Sequence, residues 1–280
     1  MTREKAASRF FAPGSRRGAG FTLVELLVVI AVIAILAAML LPTLSKSKSK
    51  AAQMVDFDNL RQIVLGCVMY AGDNKDFEPG PCWGTDEAGW LFGKAFPVNT
   101  GTTMSAAAAA YSSQLLSMAQ GQLWAYLKSP KVYVCPLDFT NNALWAERGC
   151  LITSYASNGA LCGYGQLADG LSYKLSQFRA DDVEFFEPSE YFPFDFNDGS
   201  NHPYEGITQR HLGKAGVNQA ASAYGYENLS GDGTVACFGG AVFSMGYTSF
   251  HALAGDLGSY QNLRPLPNVM WCSPGSSNGQ

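Results

Sequence analysis

Charged side chains and histidines are scarce in this chain. Asp, Glu, Lys and Arg together make up 15% of its 280 residues, and only three residues are histidine. The formal net charge is −4, so the composition offers none of the basic surface that nucleic-acid binding requires. We therefore expect no nucleic-acid partner.

Several motifs that indicate enzymes or metal sites are also missing. Neither H-E-x-x-H nor a phosphate-binding P-loop occurs. The seven cysteines contain no C-x-x-C pair, which argues against a zinc ribbon or a thioredoxin-like site. We expect Cys67 to be a buried thiol. The other six cysteines allow partial disulfide pairing, and they are Cys82, Cys135, Cys150, Cys162, Cys237 and Cys272.

The most informative segment is an apolar run near the N-terminus. Residues Phe21 to Leu41 contain a single charged side chain, Glu25, and follow a basic leader that ends at Gly20. A helix of this length spans about 31 Å, enough to cross the hydrocarbon core of a bilayer. A carboxylate near the start of a membrane helix is costly, so Glu25 is a candidate functional residue.

Two simpler interpretations of this segment remain open. It could be an ordinary signal anchor in which Glu25 only reaches the lipid headgroups. A cleaved secretory signal peptide fits less well, because its apolar region is shorter and its cleavage site follows that region.

The residues at the start of the run resemble the class III signal of type IV prepilins and type II secretion pseudopilins. That motif, G-F-T-L-x-E, lies at Gly20 to Glu25, and Pro42 matches the proline that commonly closes the apolar part. The resemblance implies cleavage after Gly20 by a prepilin peptidase and N-methylation of Phe21. It also implies that Glu25 assists assembly, because the new amine of Phe21 could pair with Glu25 of a neighbouring subunit.

Shorter motifs resemble the large-headed pseudopilin-like proteins of planctomycete and verrucomicrobial bacteria. These motifs are Gly121 to Leu127, Val134 to Asp138 and Ser154 to Asn158. Those proteins often end with an Arg-His pair followed shortly by an Asp-Gly turn. Arg210-His211 and Asp232-Gly233 match that pattern, but the interval between them is longer than usual, so any role of His211 stays open.

The flanking charges predict the membrane topology. The leader carries five basic side chains, whereas three lysines follow the apolar run. This bias places the leader in the cytoplasm and the remainder in the periplasm, as a single-pass protein of the inner membrane. We expect a leader at 1–20, a long helix at 21–72 and an external head at 73–280. The helix should divide into a membrane part at 21–41 and an amphipathic part at 42–72.

The predicted fold class is α+β, with the long helix packed on an antiparallel sheet, as in pilins. Proline lacks a backbone donor, so Pro42 should mark a kink. Beyond it, an apolar stripe at helical spacing should pack on the sheet, with Asp56 and Asn59 on other faces. The stripe comprises Phe57, Leu60, Val64, Cys67, Val68 and Ala71.

Later segments predict one further helix and several strands. Ser113 to Leu127 should be helical. A strand is expected at Lys131 to Cys135, and Val183 to Phe186 should pair with Tyr191 to Phe194. The Gly239-Gly240 pair predicts a tight hairpin between Thr234 to Phe238 and Ala241 to Met245, because both glycines accept positive φ.

Cys135, His211 and Asp232 supply the residue types of a Cys-His-Asp hydrolase. Nothing in the sequence places them together. Such an activity requires the three side chains to converge in one cleft. We expect no enzymatic activity.

Calcium is the cofactor that the residues favour most. Asp195, Asn197 and Asp198 cluster oxygen ligands in a loop that contains glycine. The spacing does not follow the EF-hand pattern. Asp73 to Asp76 is a second acidic turn, which contains Lys75, and two solvated turns remain the simpler interpretation.

Aromatic residues suggest a third class of function. The segments Phe77 to Trp90, which includes Trp83, and Tyr164 to Tyr173 could form a carbohydrate-binding or adhesive surface. The more common fate of such residues is a hydrophobic core.

The sequence thus favours a structural subunit of a type II secretion pseudopilus or a type IV pilus-like filament. Its expected partners are copies of itself, other pseudopilins, the prepilin peptidase, the inner-membrane assembly platform and the bilayer. The alternatives are a membrane-anchored adhesin or carbohydrate-binding module, and a Cys/His hydrolase.

Overall fold

A computed structural model describes residues 22–138, 140, 142–190, 192–211, 231–255 and 267–280. The chain divides into two compact units, Met1–Ser47 and Lys48–Gln280. The second is called the head unit below. Gly20 and Phe21 lie outside the described residues.

Helix α1 runs without interruption from Leu23 to Asp73 and contains Pro42. In the first unit its large apolar side chains are exposed; Leu23, for example, is 77% exposed and Leu44 is 66% exposed. Backbone on both sides of Pro42 is helical, and the predicted kink stays a prediction. The helix ends at Asp73, one residue beyond the predicted end at residue 72.

The part of α1 in the head unit packs through the predicted stripe, with two corrections. Leu60, Val64, Cys67 and Ala71 are buried as expected, and they are joined by Ile63. Val68 is 40% exposed and Phe57 is only partly buried.

The second correction concerns the polar residues of the same helix. Asp56 and Asn59 are buried, although the pattern placed them on other faces. Asn59 donates its side-chain amide to the carbonyl oxygen of Val134 at 3.1 Å. Asp56 accepts hydroxyl hydrogen bonds, described with the candidate site. Buried polar groups are tolerated where such partners exist.

A five-stranded sheet forms the centre of the head unit, in the order β3-β1-β2-β4-β5. Strands β1–β2, β2–β4 and β4–β5 pair antiparallel. Strands β1 and β3 pair in parallel, so the sheet is mixed where an antiparallel one was predicted. The strands are Ala156–Asn158 (β1), Val183–Phe186 (β2), Ser200–Asn201 (β3), Asp232–Cys237 (β4) and Val242–Gly246 (β5).

The sheet confirms the fold class α+β, because α1 covers one of its faces. Phe185 of β2 and Ala236 of β4 share a core cluster with the apolar residues of α1. Val183, Phe186 and Val235 belong to a different cluster, which includes Phe250 and Trp271.

The predicted hairpin is confirmed, but of its two turn glycines only Gly240 has a positive φ. Strands β4 and β5 pair from Asp232↔Gly246 to Ala236↔Val242. Gly240 has a φ of +82°, which a side chain would disfavour.

Two predicted strands are wrong. Lys131 to Cys135 lies where the chain forms a 3₁₀ helix, Pro130–Tyr133, because proline starts that turn. Strand β2 pairs with β1 and β4, whereas the segment after it forms the 3₁₀ helix Pro193–Phe196. Tyr191 lies outside the described residues.

The remaining helices are short and lie at the periphery of the sheet. The predicted helix Ser113 to Leu127 is divided into two helices in the structure. The first ends at Met118, before Gly121, and the second begins at Trp124. Their bounds are Met104–Met118 (α2), Trp124–Leu127 (α3), Ala143–Ala146 (α4) and Tyr247–Ala254 (α5).

Candidate functional site

The start of α1 is held by a reciprocal pair of hydrogen bonds between Thr22 and Glu25. The Glu25 carboxylate accepts from the Thr22 backbone N–H at 2.8 Å and from its hydroxyl at 2.7 Å. The backbone N–H of Glu25 donates to the Thr22 hydroxyl oxygen at 3.2 Å. This is a capping box, in which the first residue and the residue three positions later satisfy each other's backbone groups.

The helix that follows is long and apolar enough to cross a membrane, by length and composition. Its best 18-residue window has a mean hydropathy of 3.0, and none of that window is buried within the protein. Hydroxyl groups of Thr43 and Ser47 donate to the carbonyl oxygens of Leu40 and Thr43. Such bonds to the carbonyl groups of the preceding turn are common for Ser and Thr inside a helix.

A buried polar network in the head unit joins α1 to the sheet. The Tyr155 hydroxyl donates to Asp56 Oδ1 at 2.7 Å, and the Thr234 hydroxyl of β4 donates to Asp56 Oδ2. Burial and the neighbouring charge of Glu187 raise the pKa of Asp56 to about 6. The network therefore fixes the register of the helix on the sheet through a group that has little access to water.

His211 lies at the centre of this network. Its Nε2 atom is 2.8 Å from Glu187 Oε2, 3.4 Å from Asp56 Oδ2 and 3.7 Å from Cys135 Sγ. We name these four residues the His211 cluster. Burial lowers the pKa of His211, but the charge and hydrogen bond of Glu187 outweigh burial and leave it raised. His211 and Glu187 thus form a buried ion pair.

Two arginines compensate the remaining acidic groups around the cluster. Arg148 binds Asp138 with both terminal nitrogens, at 2.7 and 3.0 Å, and both side chains are 1% exposed. Arg210 Nη1 is 3.4 Å from Asp138 Oδ2. Burial acts to raise the pKa of Asp138, but the two guanidinium groups lower it well below its usual range.

The Arg-His and Asp-Gly motifs meet in the structure despite their long separation in sequence. His211 and Asp232 form a backbone bridge, with N–H to O distances of 3.2 and 2.8 Å. Arg210 and His211 therefore direct their side chains into the network from the edge of β4. The Arg-His and Asp-Gly motifs therefore have a structural role, which their unusual spacing in the sequence did not reveal.

The predicted Cys-His-Asp arrangement is formed only in part. Cys135 and His211 come together, but Asp232 contributes backbone atoms, and the carboxylates beside His211 belong to Asp56 and Glu187. Cys135 is 1% exposed, and burial raises the pKa of its thiol well above the usual value. A nucleophilic cysteine requires a lowered pKa and access to substrate, and this thiol has neither.

The three predicted calcium ligands differ in their surroundings. Asp198 accepts hydrogen bonds from the backbone N–H groups of Gly84 and Ser200 at 2.7 and 2.9 Å. Asp195 is buried, and burial together with the charge of Glu205 raises its pKa to about 8. Asn197 is exposed. Calcium binding by this loop stays a prediction.

The cysteines are all free thiols in the structure, which gives the predicted partial pairing no support. Cys67 is buried, as predicted, and so are five of the six candidates for pairing; Cys272 is partly buried.

The aromatic residues of the predicted binding surface separate into two groups. Trp90 is fully buried in the core. Trp83 and Tyr164 remain partly exposed and contact His202, with ring centroids 4.8 and 4.9 Å from its imidazole. Burial lowers the pKa of His202 to about 4. Carbohydrate binding there stays a prediction.

Two buried groups of side chains have the chemistry of metal ligands among the described residues. One is the His211 cluster. The other comprises Cys67, Glu78 and Glu184, and we name it the Cys67 cluster. Neither glutamate of the second group is predicted as a site residue from the sequence. The sequence marks Glu184 as unusual, because this charged residue lies inside an apolar strand, V-E-F-F.

Comparison with known proteins confirms the class that the N-terminal motif predicted. Residues 15–41 match the family model described as the prokaryotic N-terminal methylation motif. These residues include Gly20 and Phe21, the predicted cleavage and methylation positions, and the first part of α1. The match supports the type IV pilin and pseudopilin family for this chain.

A particular relative carries the same resemblance. PilA4, the type IV wide pilus major component of Thermus thermophilus, is 45% identical over 62 residues. The aligned part is 22% of this chain and 47% of the relative, so the chain spans about half the length of the curated relative that it matches. No solved structure matches the chain.

Proposed function

We propose that this chain is a structural subunit of a type IV pilus-like filament or a type II secretion pseudopilus. One observation carries the proposal: a methylation motif at residues 15–41 leads directly into an exposed apolar helix with one carboxylate, Glu25. Exposed apolar surface of this extent requires a lipid or protein partner. A bilayer before assembly and neighbouring subunits afterwards would both cover it.

The processing steps follow from the motif. A prepilin peptidase cleaves after Gly20 and the amine of Phe21 is methylated. The resulting cation pairs with Glu25 of an adjacent subunit inside the filament, where charges are weakly screened. Leaving Glu25 without that partner would be strongly unfavourable, so the pair also sets the axial register.

The proposed topology has the leader in the cytoplasm and the head unit in the periplasm. The leader is the more basic flank of the apolar run, in accord with the positive-inside rule. The partners in this scheme are other subunits, the peptidase and the inner-membrane assembly platform.

The head unit has a structural role in this proposal. Its most elaborate polar site, the His211 cluster, consists of residues that are buried and engaged with one another. Such a network stabilises one packing of α1 on the sheet, and it gives a substrate no access to Cys135. The proposal therefore assigns the chain no enzymatic activity.

Assembly of Glu25→Ala tests the proposal. The full chain is expressed with its peptidase and assembly machinery, and the mass of the N-terminus, membrane insertion and incorporation into sheared filaments are measured. We expect the wild type to lose residues 1–20 and to enter filaments. Glu25→Ala should still insert but should be absent from filaments.

Asp58→Ala provides the control, because it removes an exposed carboxylate from the same helix outside the apolar run. It should assemble normally. Recovery of an unprocessed wild-type chain that never enters filaments would refute the proposal, as would normal incorporation of Glu25→Ala.

A further inference from the structure

The Cys67 cluster brings a thiol and two carboxyl groups together from three separate parts of the head unit. Cys67 lies on α1, Glu78 in the loop after it, and Glu184 on the central strand β2. One ligand atom from each lies within 4.8 Å of the other two. The three residues are 1%, 2% and 1% exposed.

Most of the carboxyl oxygens in this cluster have no hydrogen-bond partner among the residues that the structure describes. Both side-chain oxygens of Glu78 and the Oε1 atom of Glu184 are buried and unpaired. An unsatisfied buried polar atom destabilises the folded state, and it does so more strongly when the group is charged. Three such atoms in one place require a compensating interaction.

Charge compensation is also absent among the described residues. The charges that act on Cys67, Glu78 and Glu184 are those of the cluster itself and of Asp76, and all of them are acidic. The His211 cluster differs in this respect, because Arg210 and the imidazole of His211 neutralise its carboxylates. Of the two clusters, the Cys67 cluster is therefore the one in which the described protein groups provide no positive charge. A bound cation would supply that charge.

We propose that the Cys67 cluster binds a zinc ion. Zinc accepts thiolate and carboxylate ligands together, whereas calcium and magnesium take oxygen ligands alone. Binding requires the Cys67 thiol and any protonated carboxyl group to release their protons to solvent. A water molecule or a second carboxylate oxygen completes the tetrahedral set.

The surrounding backbone holds the ligands in place without the ion. The Glu78 N–H donates to the Tyr173 carbonyl oxygen at 3.1 Å, and the Glu78 carbonyl accepts from the Ser172 hydroxyl. Glu184 lies on a strand that is paired on both sides. Zinc would therefore fasten the long helix, the loop that follows it and the sheet to one another.

The test uses the full chain in detergent, stripped with a chelator and titrated with zinc chloride. We expect one zinc ion per chain by elemental analysis. At a hundredfold excess of free zinc over Kd, the melting temperature should rise by roughly 5 to 10 °C. Cobalt substituted for zinc should give a thiolate-to-metal charge-transfer band in the near ultraviolet.

Variants locate the ion and separate this proposal from a folding defect. Cys67→Ser should abolish the charge-transfer band, and Glu78→Gln should abolish the zinc-dependent melting shift. Glu78→Gln should fold without zinc at least as well as the stripped wild type, because it removes a buried carboxyl group that has no partner.

Cys135→Ser is the matched control, since it removes a buried thiol from the His211 cluster. It should keep the ion and the band. Loss of the band in Cys135→Ser alone would place the metal in the His211 cluster and overturn the proposal. A wild-type chain that binds no zinc would overturn it as well. Neither result bears on filament assembly, which is measured separately.

Discussion

The carboxylate of Glu25 accepts two hydrogen bonds from Thr22, one from its backbone N–H and one from its hydroxyl. The family resemblance implies that the Glu25 carboxylate pairs with the N-terminal amine of a neighbouring subunit. Before assembly, that carboxylate already has a hydrogen-bond partner, Thr22, in its own helix. Capping and intersubunit pairing make different demands on this side chain. Capping needs an acceptor oxygen, whereas pairing with an amine needs a negative charge.

Glu25→Gln separates these two roles. Glutamine can complete a capping box, so the helix start should be preserved and membrane insertion should equal that of the wild type. Filament incorporation should nevertheless fall to the level of Glu25→Ala, because the charge is lost. The measurement is the ratio of filament to membrane protein for the two variants. Wild-type incorporation of Glu25→Gln would show that the cap, and not the charge, supports assembly.

The Tyr155 hydroxyl should contribute measurably to the stability of the head unit. Tyr155→Phe leaves Asp56 Oδ1 without its buried donor, which should lower the free energy of unfolding by about 1 to 3 kcal/mol. Thermal or denaturant unfolding of the full chain in detergent measures this change.

Tyr133→Phe is a close control for that measurement. Tyr133 is also fully buried, but its hydroxyl has no hydrogen-bond partner in the described part of the chain. Removing this hydroxyl should leave stability unchanged or raise it slightly. Equal losses in the two variants would contradict a specific role for the bond between Tyr155 and Asp56.

His202 should make the head unit less stable in mild acid. Burial lowers its pKa from 6.5 to about 4, so the folded state favours the neutral imidazole. The resulting stability is fully present above about pH 6.5 and is lost as the pH falls toward 4. His202→Phe keeps an aromatic ring between Tyr164 and Tyr204 but cannot bind a proton.

Melting temperatures of wild type and His202→Phe from pH 7 to pH 4 measure this effect. The difference between the two profiles isolates the imidazole from carboxyl groups such as Glu205, which accepts the backbone N–H of His202. The wild type should lose stability relative to the variant as the pH falls. Parallel profiles would show that His202 does not titrate differently in the folded and unfolded states.

Local signals in the sequence predicted the elements that depend on local physics. The β4–β5 hairpin follows from the Gly239-Gly240 turn, and the long helix follows from its apolar content and spacing. The parallel pair β1–β3 could not be predicted, because strands of two or three residues carry no readable alternation.

The buried polar network was hidden for a different reason. At helical spacing, Asp56 has the pattern of a solvent-facing residue, and only Tyr155 and Thr234, distant in sequence, make its burial favourable. Glu184 and Glu187 lie within and just after an apolar strand, which marks them as unusual but does not identify their partners. Long-range pairing of this kind becomes visible only in three dimensions.

The insertion of Asp56 beneath the sheet has a mechanical consequence. Helix α1 is continuous, so a force on its N-terminal part acts along the helix axis. Asp56 is a buried residue of that helix that resists the force, through its hydrogen bonds to Tyr155 and to Thr234 of strand β4. Withdrawing the helix would break those hydrogen bonds and expose Asp56 and its apolar neighbours to solvent in one step. Slippage by a single turn would break the same hydrogen bonds as detachment, so these bonds resist both movements.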